Sequence, residues 1–68
     1  MQVTAILTAA PEGGYTALNP ETGTASEGET IEEAISNLRE AVELYLEVFP
    51  TKFSGTPLVT TFTIAEHA

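Results

Sequence analysis

Apolar and polar side chains alternate along residues 2–10, which is the pattern of a β-strand whose successive side chains point to opposite faces. One face carries small or apolar residues throughout: Val3, Ala5, Leu7 and Ala9. The opposite face carries Ile6 between two threonines, so neither face is fully polar. A strand with apolar residues on both faces is typical of the interior of a sheet, and a central position is predicted.

Residues 11–14 read Pro-Glu-Gly-Gly, a turn sequence in which the glycines can adopt positive φ. A second strand is predicted over residues 15–19, so the two segments should form a β-hairpin. After a loop at residues 20–23, residues 24–27 predict a short third strand that ends at Gly28. Serine, glutamate and glycine are poor strand formers, so β-propensity supports this strand less than the other predicted strands.

A long amphipathic helix is predicted from Thr30 to Phe49. Thr30 is a good N-cap residue, and Glu33 lies three positions further on, as a capping box requires. Apolar side chains then recur with the helical period: Ile31, Ala34, Ile35, Leu38, Val42, Tyr45 and Phe49. Pro50 ends the helix, because proline disfavours helical geometry in the residue before it.

A second alternating segment, residues 58–65, predicts a last strand with Leu58, Phe62 and Ile64 on one face. The element order is therefore β-β-β-α-β, and the fold class is α+β, with one small sheet and one helix packed on it. All 68 residues belong to a single domain. The helical crossover should place the last strand parallel to the third, with a right-handed connection.

A domain this small needs additional buried surface. Sixty-eight residues bury a modest fraction of their surface, and the chain has no cysteine for a disulfide. A homo-oligomer, either a dimer or a tetramer, is therefore expected. The first residues lack the basic and apolar regions of a signal peptide, and no apolar run approaches the ~20 residues of a membrane span. These features predict a cytoplasmic protein.

Ten glutamates against two basic residues, Arg39 and Lys52, give a net charge of −8. Proteins bind phosphate backbones with lysine and arginine, so direct binding to nucleic acid is not expected. An acidic surface can instead steer and hold a basic protein partner. The simpler interpretation, that the acidity confers solubility, stays open.

The polar surface of the predicted helix carries the candidate binding residues. On a helical wheel, Glu40, Glu43 and Glu47 share a stripe opposite the apolar face, although like charges three or four residues apart repel. This stripe is either a solvated face or a contact surface for a basic partner. Leu44 falls on the polar arc with Val48 beside it, and such a pair can mark a small contact patch. The candidate partner-binding residues are Glu40, Glu43, Leu44 and Glu47.

The sequence contains no pattern of catalytic, cofactor-binding or metal-ligating residues. The single histidine, His67, stands next to the C-terminal residue without a nucleophile nearby. The pair Gly13-Gly14 opens a strand, whereas a phosphate cradle opens a helix. Tyr15 is interpreted as a half-buried strand aromatic or as an anchor at an interface. A protein without enzymatic activity, cofactor or metal is expected.

Three segments of the chain resemble the HicB-like antitoxin family. They are Gly14-Tyr15-x-Ala17-Leu18-x-Pro20, Ser26-x-Gly28-Glu29-Thr30-Ile31-Glu32-Glu33-Ala34-Ile35 and Asn37-Leu38-x-Glu40-Ala41-Val42-Glu43-Leu44-Tyr45-Leu46. The second segment is the most specific of the three. The resemblance implies a partial ribonuclease-H-like β-β-β-α-β domain without catalytic carboxylates, and a function in type II toxin–antitoxin systems.

The same resemblance implies a partner, namely a small basic mRNA-cleaving toxin of the HicA type whose catalytic face the antitoxin covers. Many members of that family carry a second, DNA-binding domain, but this chain ends with its predicted last strand, so a repressor function is not expected. Two other interpretations stay open. One is an orphan module that only self-associates, and the other is a ribonuclease-H-type nuclease, for which the first strand supplies no carboxylate.

Overall fold

A computed structural model describes residues 1–53, 55 and 57–66. The strands β1 (Ile6–Ala9), β2 (Tyr15–Asn19) and β3 (Thr24–Gly28) are followed by one helix, α1 (Ile31–Val48). The three strands form one antiparallel sheet in the order β1-β2-β3. The predicted α+β class is confirmed, and so are the hairpin, the short third strand and the helix that follows it.

The β1–β2 turn owes its geometry to two glycines. Gly13 and Gly14 both have positive φ, at 108° and 80°, which L side chains rarely adopt. The backbone N–H of Ala10 donates to the carbonyl oxygen of Gly14 at 3.0 Å and closes the turn. The resulting register pairs Leu7 with Ala17, and Ala17 with Ser26, so one face of the sheet is fixed across all three strands.

The helix begins and ends where its capping residues predict. The hydroxyl oxygen of Thr30 accepts a hydrogen bond from the backbone N–H of Glu33 at 3.1 Å. At the other end the backbone N–H of Phe49 donates to the carbonyl oxygen of Tyr45 at 2.7 Å, and Pro50 follows. Capping at Thr30 satisfies a donor that a helix start otherwise leaves unpaired.

The core is small and lies between α1 and the sheet. Its buried apolar residues are Ala17, Ala34, Leu38 and Val42. The helix packs across β3 and β2, and half-buried Leu7, Tyr15 and Leu46 border the core. Alanine at facing positions of strand and helix lets the two backbones approach closely. Within the described ranges, no helix has both the length and the apolar character needed to cross a bilayer.

Asn19 is a fully buried polar residue that joins the N-terminal segment to the β2–β3 loop. Its Nδ2 donates to the carbonyl oxygen of Thr4 at 2.8 Å and to a carboxylate oxygen of Glu21 at 2.7 Å. Its Oδ1 accepts from the backbone N–H of Thr22 at 2.9 Å. Pro20 has no backbone N–H, so it cannot extend the hydrogen-bond ladder between β1 and β2. The Asn19 side chain supplies the bond to Thr4 in its place.

The last strand predicted over residues 58–65 is wrong. Described residues 57–66 form no strand, and Leu58 and Phe62 are 90% and 82% exposed. Alternation predicts which side chains would share a face. A strand also needs a neighbouring strand to form hydrogen bonds with its backbone N–H and C=O groups. The predicted central position of the first strand is also wrong, because β2 lies in the middle and β1 at an edge. The central position was inferred from apolar residues on both faces of the strand, a pattern that does not identify which strands lie beside it.

Candidate protein-binding surface

The helix presents the predicted contact residues to solvent. Glu40, Glu43 and Glu47 are all exposed, and Leu44 beside them is 63% exposed. Val48, one turn further along, is 69% exposed. The structure therefore places these side chains on an accessible surface, which is called the helix stripe below and comprises Glu40, Glu43, Leu44 and Glu47. That a partner contacts the helix stripe stays a prediction.

The C-terminal end of α1 concentrates negative charge. The last helical carbonyl groups carry the negative end of the helix dipole, which basic side chains in the last turn commonly offset. The last turn of α1 contains no basic residue, and Glu47 adds a carboxylate there. Tyr45 and Phe49 pack with their ring centroids 5.2 Å apart, and Phe49 remains 57% exposed. A cationic group from a partner would be favoured at this end of the helix.

A second group of glutamates lies at the N-terminal end of α1, where β2, β3 and the first helical turn meet. It is called the acidic mouth below, and it consists of Glu12, Glu27, Glu29 and Glu33. All four are exposed, and they surround a depression lined by Gly14 and Tyr15. Tyr15 also packs against the core, as the strand interpretation predicts.

Sequence reasoning missed the acidic mouth because Glu12 lies 15 residues before Glu27 along the chain. The antiparallel pairing of Tyr15 with Gly28 brings the two neighbouring turns together, and α1 then starts over them. Only that register reveals the cluster. Among the residues that the structure describes, no three His, Cys, Asp or Glu side chains form a group that could hold a metal ion. His67 lies outside the described residues.

Two glycines allow the close approach that shapes the acidic mouth. A Cβ added to Gly14 would lie 2.9 Å from the carbonyl oxygen of Gly28. A Cβ added to Gly28 would collide with the backbone nitrogen of Ala34 and lie 2.8 Å from the carbonyl carbon of Glu33. Gly28 therefore does more than end the third strand. Its missing side chain lets the first turn of α1 rest directly on the end of β3.

Glu21 belongs to neither acidic group and has a structural role. The backbone N–H of Thr4 donates to one oxygen of the Glu21 carboxylate at 2.9 Å, and the Thr4 hydroxyl donates to the other oxygen at 2.8 Å. These bonds, the backbone one foremost, hold the pKa of Glu21 below its ordinary value of 4.5, because they favour the charged form. The carboxylate thus fastens the N-terminal segment to the loop after β2.

The lowered pKa of Glu21 makes stability depend on pH in a defined direction. A group whose pKa is lower in the folded state stabilises the fold above its unfolded pKa, and this contribution is lost as the pH falls through the folded pKa. Glu21→Gln should therefore lower the melting temperature at neutral pH, and the difference from the unmodified protein should shrink as the pH falls below 4.5. Thermal unfolding followed by circular dichroism across this range measures it. The charge-matched control is Glu40→Gln, at an exposed helix position, and a pH-dependent difference as large for Glu40→Gln would contradict the assignment.

The fold and its surfaces define a small α+β module with exposed acidic groups and, among the described residues, no assembled metal site. The chain is similar to two UPF0150 proteins of Synechocystis sp., with 49% and 45% identity over 47 residues. The matches cover 68% of this chain and 60% and 65% of the respective relatives, so the match spans less than two thirds of either. Neither name states an activity or a partner. No family model matches the sequence, and no solved structure matches either.

Proposed function

We propose that this protein is a non-enzymatic, antitoxin-like module of the cytoplasm that binds a small basic mRNA-cleaving toxin of the HicA type and covers its catalytic face. The observation that carries this proposal is the helix stripe, in which three exposed carboxylates flank an exposed leucine. The chain has only two basic residues to offset ten glutamates. The three segments that resemble HicB-like antitoxins support the same assignment.

The helix stripe suits a basic protein partner for two physical reasons. Its carboxylates repel each other in the free protein, and a cationic surface would relieve that repulsion. Leu44 adds exposed apolar area at one edge of the stripe, where a contact can exclude water. Charged groups beside an apolar contact favour fast, oriented association, because complementary charges steer the encounter.

The proposal predicts a complex that charge removal weakens. The triple variant Glu40→Gln, Glu43→Gln, Glu47→Gln should bind a purified HicA-type toxin about tenfold more weakly, because three exposed ion pairs at about 0.5 kcal/mol each contribute about 1.5 kcal/mol. The unmodified complex should also weaken as salt screens the exposed charges. Isothermal titration calorimetry at low and at physiological ionic strength measures both effects.

The acidic mouth provides a matched control. The variant Glu12→Gln, Glu27→Gln, Glu29→Gln has the same net charge as the helix-stripe variant, but it leaves the helix stripe intact. If global charge alone drives binding, both variants lose the same affinity. If the helix stripe is the contact surface, the helix-stripe variant loses more affinity than the acidic-mouth variant, whose loss reflects net charge alone. Failure of the unmodified protein to bind a purified HicA-type toxin would contradict the proposed function.

A further inference from the structure

The β1 edge of the sheet carries no residue that would prevent another strand from pairing with it. Edge strands of natural proteins commonly carry charges, prolines or bulges that prevent pairing with another chain. Residues 1–10, which include edge strand β1, contain no charged side chain and no proline. At the other edge, β3 carries Glu27 and is followed by Glu29. The β1 edge is therefore the one that can accept a further strand.

An apolar groove lies between the helix and the N-terminal segment that leads into β1. Its volume is about 490 Å³. Val3 and Ala5 line one wall, and Ile35, Val42 and Leu46 line the other. The charged residues that border it, Arg39 and Glu43, have opposite signs. A strand that pairs with β1 and continues along residues 3–5 would place alternate side chains in this groove.

Residues 57–66 have the composition of such a strand. Leu58, Phe62 and Ile64 share one face of an extended segment, and they are 90%, 82% and 68% exposed. Residues 53–65 form the longest stretch of the chain without a charged side chain. On a protein of net charge −8, an uncharged segment and an almost neutral groove are the surfaces that a second, equally charged copy can approach.

The total surface of the chain also indicates a second copy. The accessible surface is 5651 Å², whereas a folded monomer of 7.2 kDa exposes about 4,100 Å². The excess of about 1,500 Å² exceeds the ~800 Å² that each partner buries in a standard interface. The radius of gyration, 14.1 Å, is likewise larger than the ~11 Å of a compact chain of this length.

We propose that residues 57–66 of one copy add as a strand to the β1 edge of a second copy, with Leu58, Phe62 and Ile64 in the groove of that copy. The exchange is reciprocal, so the dimer is two-fold symmetric and contains two identical contacts. In the single chain these three side chains are exposed and do not line the groove of their own chain. We therefore assign the groove to the same segment of another copy. The inference is independent of the proposed toxin partner.

The decisive measurement is sedimentation equilibrium of the full chain over micromolar concentrations. The unmodified protein should have twice the mass of one chain. Phe62→Asp should weaken the dimer about a hundredfold, because it would bury an unpaired charge in the groove. The matched control, Thr63→Asp, introduces the same charge on the opposite face of the segment and should keep the dimer. Helical circular dichroism should remain in both variants, because Phe62 and Thr63 are exposed in the single chain.

Engineered cysteines distinguish exchange between copies from pairing within one chain, since the natural sequence has no cysteine. Val3→Cys and Phe62→Cys, made in separate chains and mixed, should form a disulfide between the two chains on mild oxidation. A monomer at all concentrations overturns the inference, as does a dimer that Phe62→Asp leaves intact. Failure of the mixed variants to cross-link, with closure of a double-cysteine variant within one chain, overturns it as well.

Discussion

Gly28→Ala should leave little folded protein at room temperature. The new methyl group would collide with the backbone of Ala34 and Glu33, and backbone cannot rotate away as a long side chain can. Overpacking of this kind costs about 1–3 kcal/mol, and a domain of this size has only a few kcal/mol of stability. Urea unfolding followed by circular dichroism at the helical band, at constant protein concentration, measures the loss.

Gly23→Ala is the control for this prediction, because the two glycines are required for different reasons. Gly23 has φ of 75°, but a Cβ there meets nothing within 4 Å. Its substitution should cost about 1 kcal/mol of backbone strain without any collision. Gly28 has ordinary φ and no space. If Gly23→Ala proves as damaging as Gly28→Ala, the close contact between β3 and α1 is not what Gly28 provides.

Leu38→Ala should be the most destabilising truncation on the helix. Leu38 is 4% exposed, and it is the largest of the four buried apolar residues. Removing a buried leucine side chain costs about 2–5 kcal/mol, since burial is lost and a cavity remains. The same urea titration should show a lower midpoint, or no folded baseline if the margin of stability is exceeded.

Leu44→Ala makes the same chemical change on the opposite face of the helix. Leu44 is 63% exposed, so its truncation should change stability by less than about 0.5 kcal/mol. It should nevertheless weaken toxin binding if the helix stripe is the contact surface. Equal destabilisation by the two substitutions would mean that the packing of α1 on the sheet differs from the one described.

Local signals account for the parts of the fold that could be predicted from sequence. Thr30 and Pro50 bracket the helix, and the glycines after Pro11 define the hairpin, because caps and turns depend on residues only a few positions apart. The exposure of Leu44 also follows from helical periodicity alone. These features needed no knowledge of tertiary contacts.

The remainder depends on contacts between distant residues. Asn19 is polar and lies next to a proline, so composition alone suggests exposure, yet it is fully buried because Thr4, Glu21 and Thr22 supply its hydrogen bonds. The acidic mouth requires the register of β2 with β3. Residues 58–65 alternate as a strand does, but no periodicity within them identifies the neighbour that a strand requires.

The order of the elements has a kinetic consequence. Each strand pairs with its neighbour in sequence, and α1 packs on the strand that directly precedes it. Such local connections have low contact order and form quickly, without a long loop to close. The three strands and the helix can therefore fold quickly as one unit, and in the proposed dimer the slower step is the collision of two chains, whose rate depends on protein concentration.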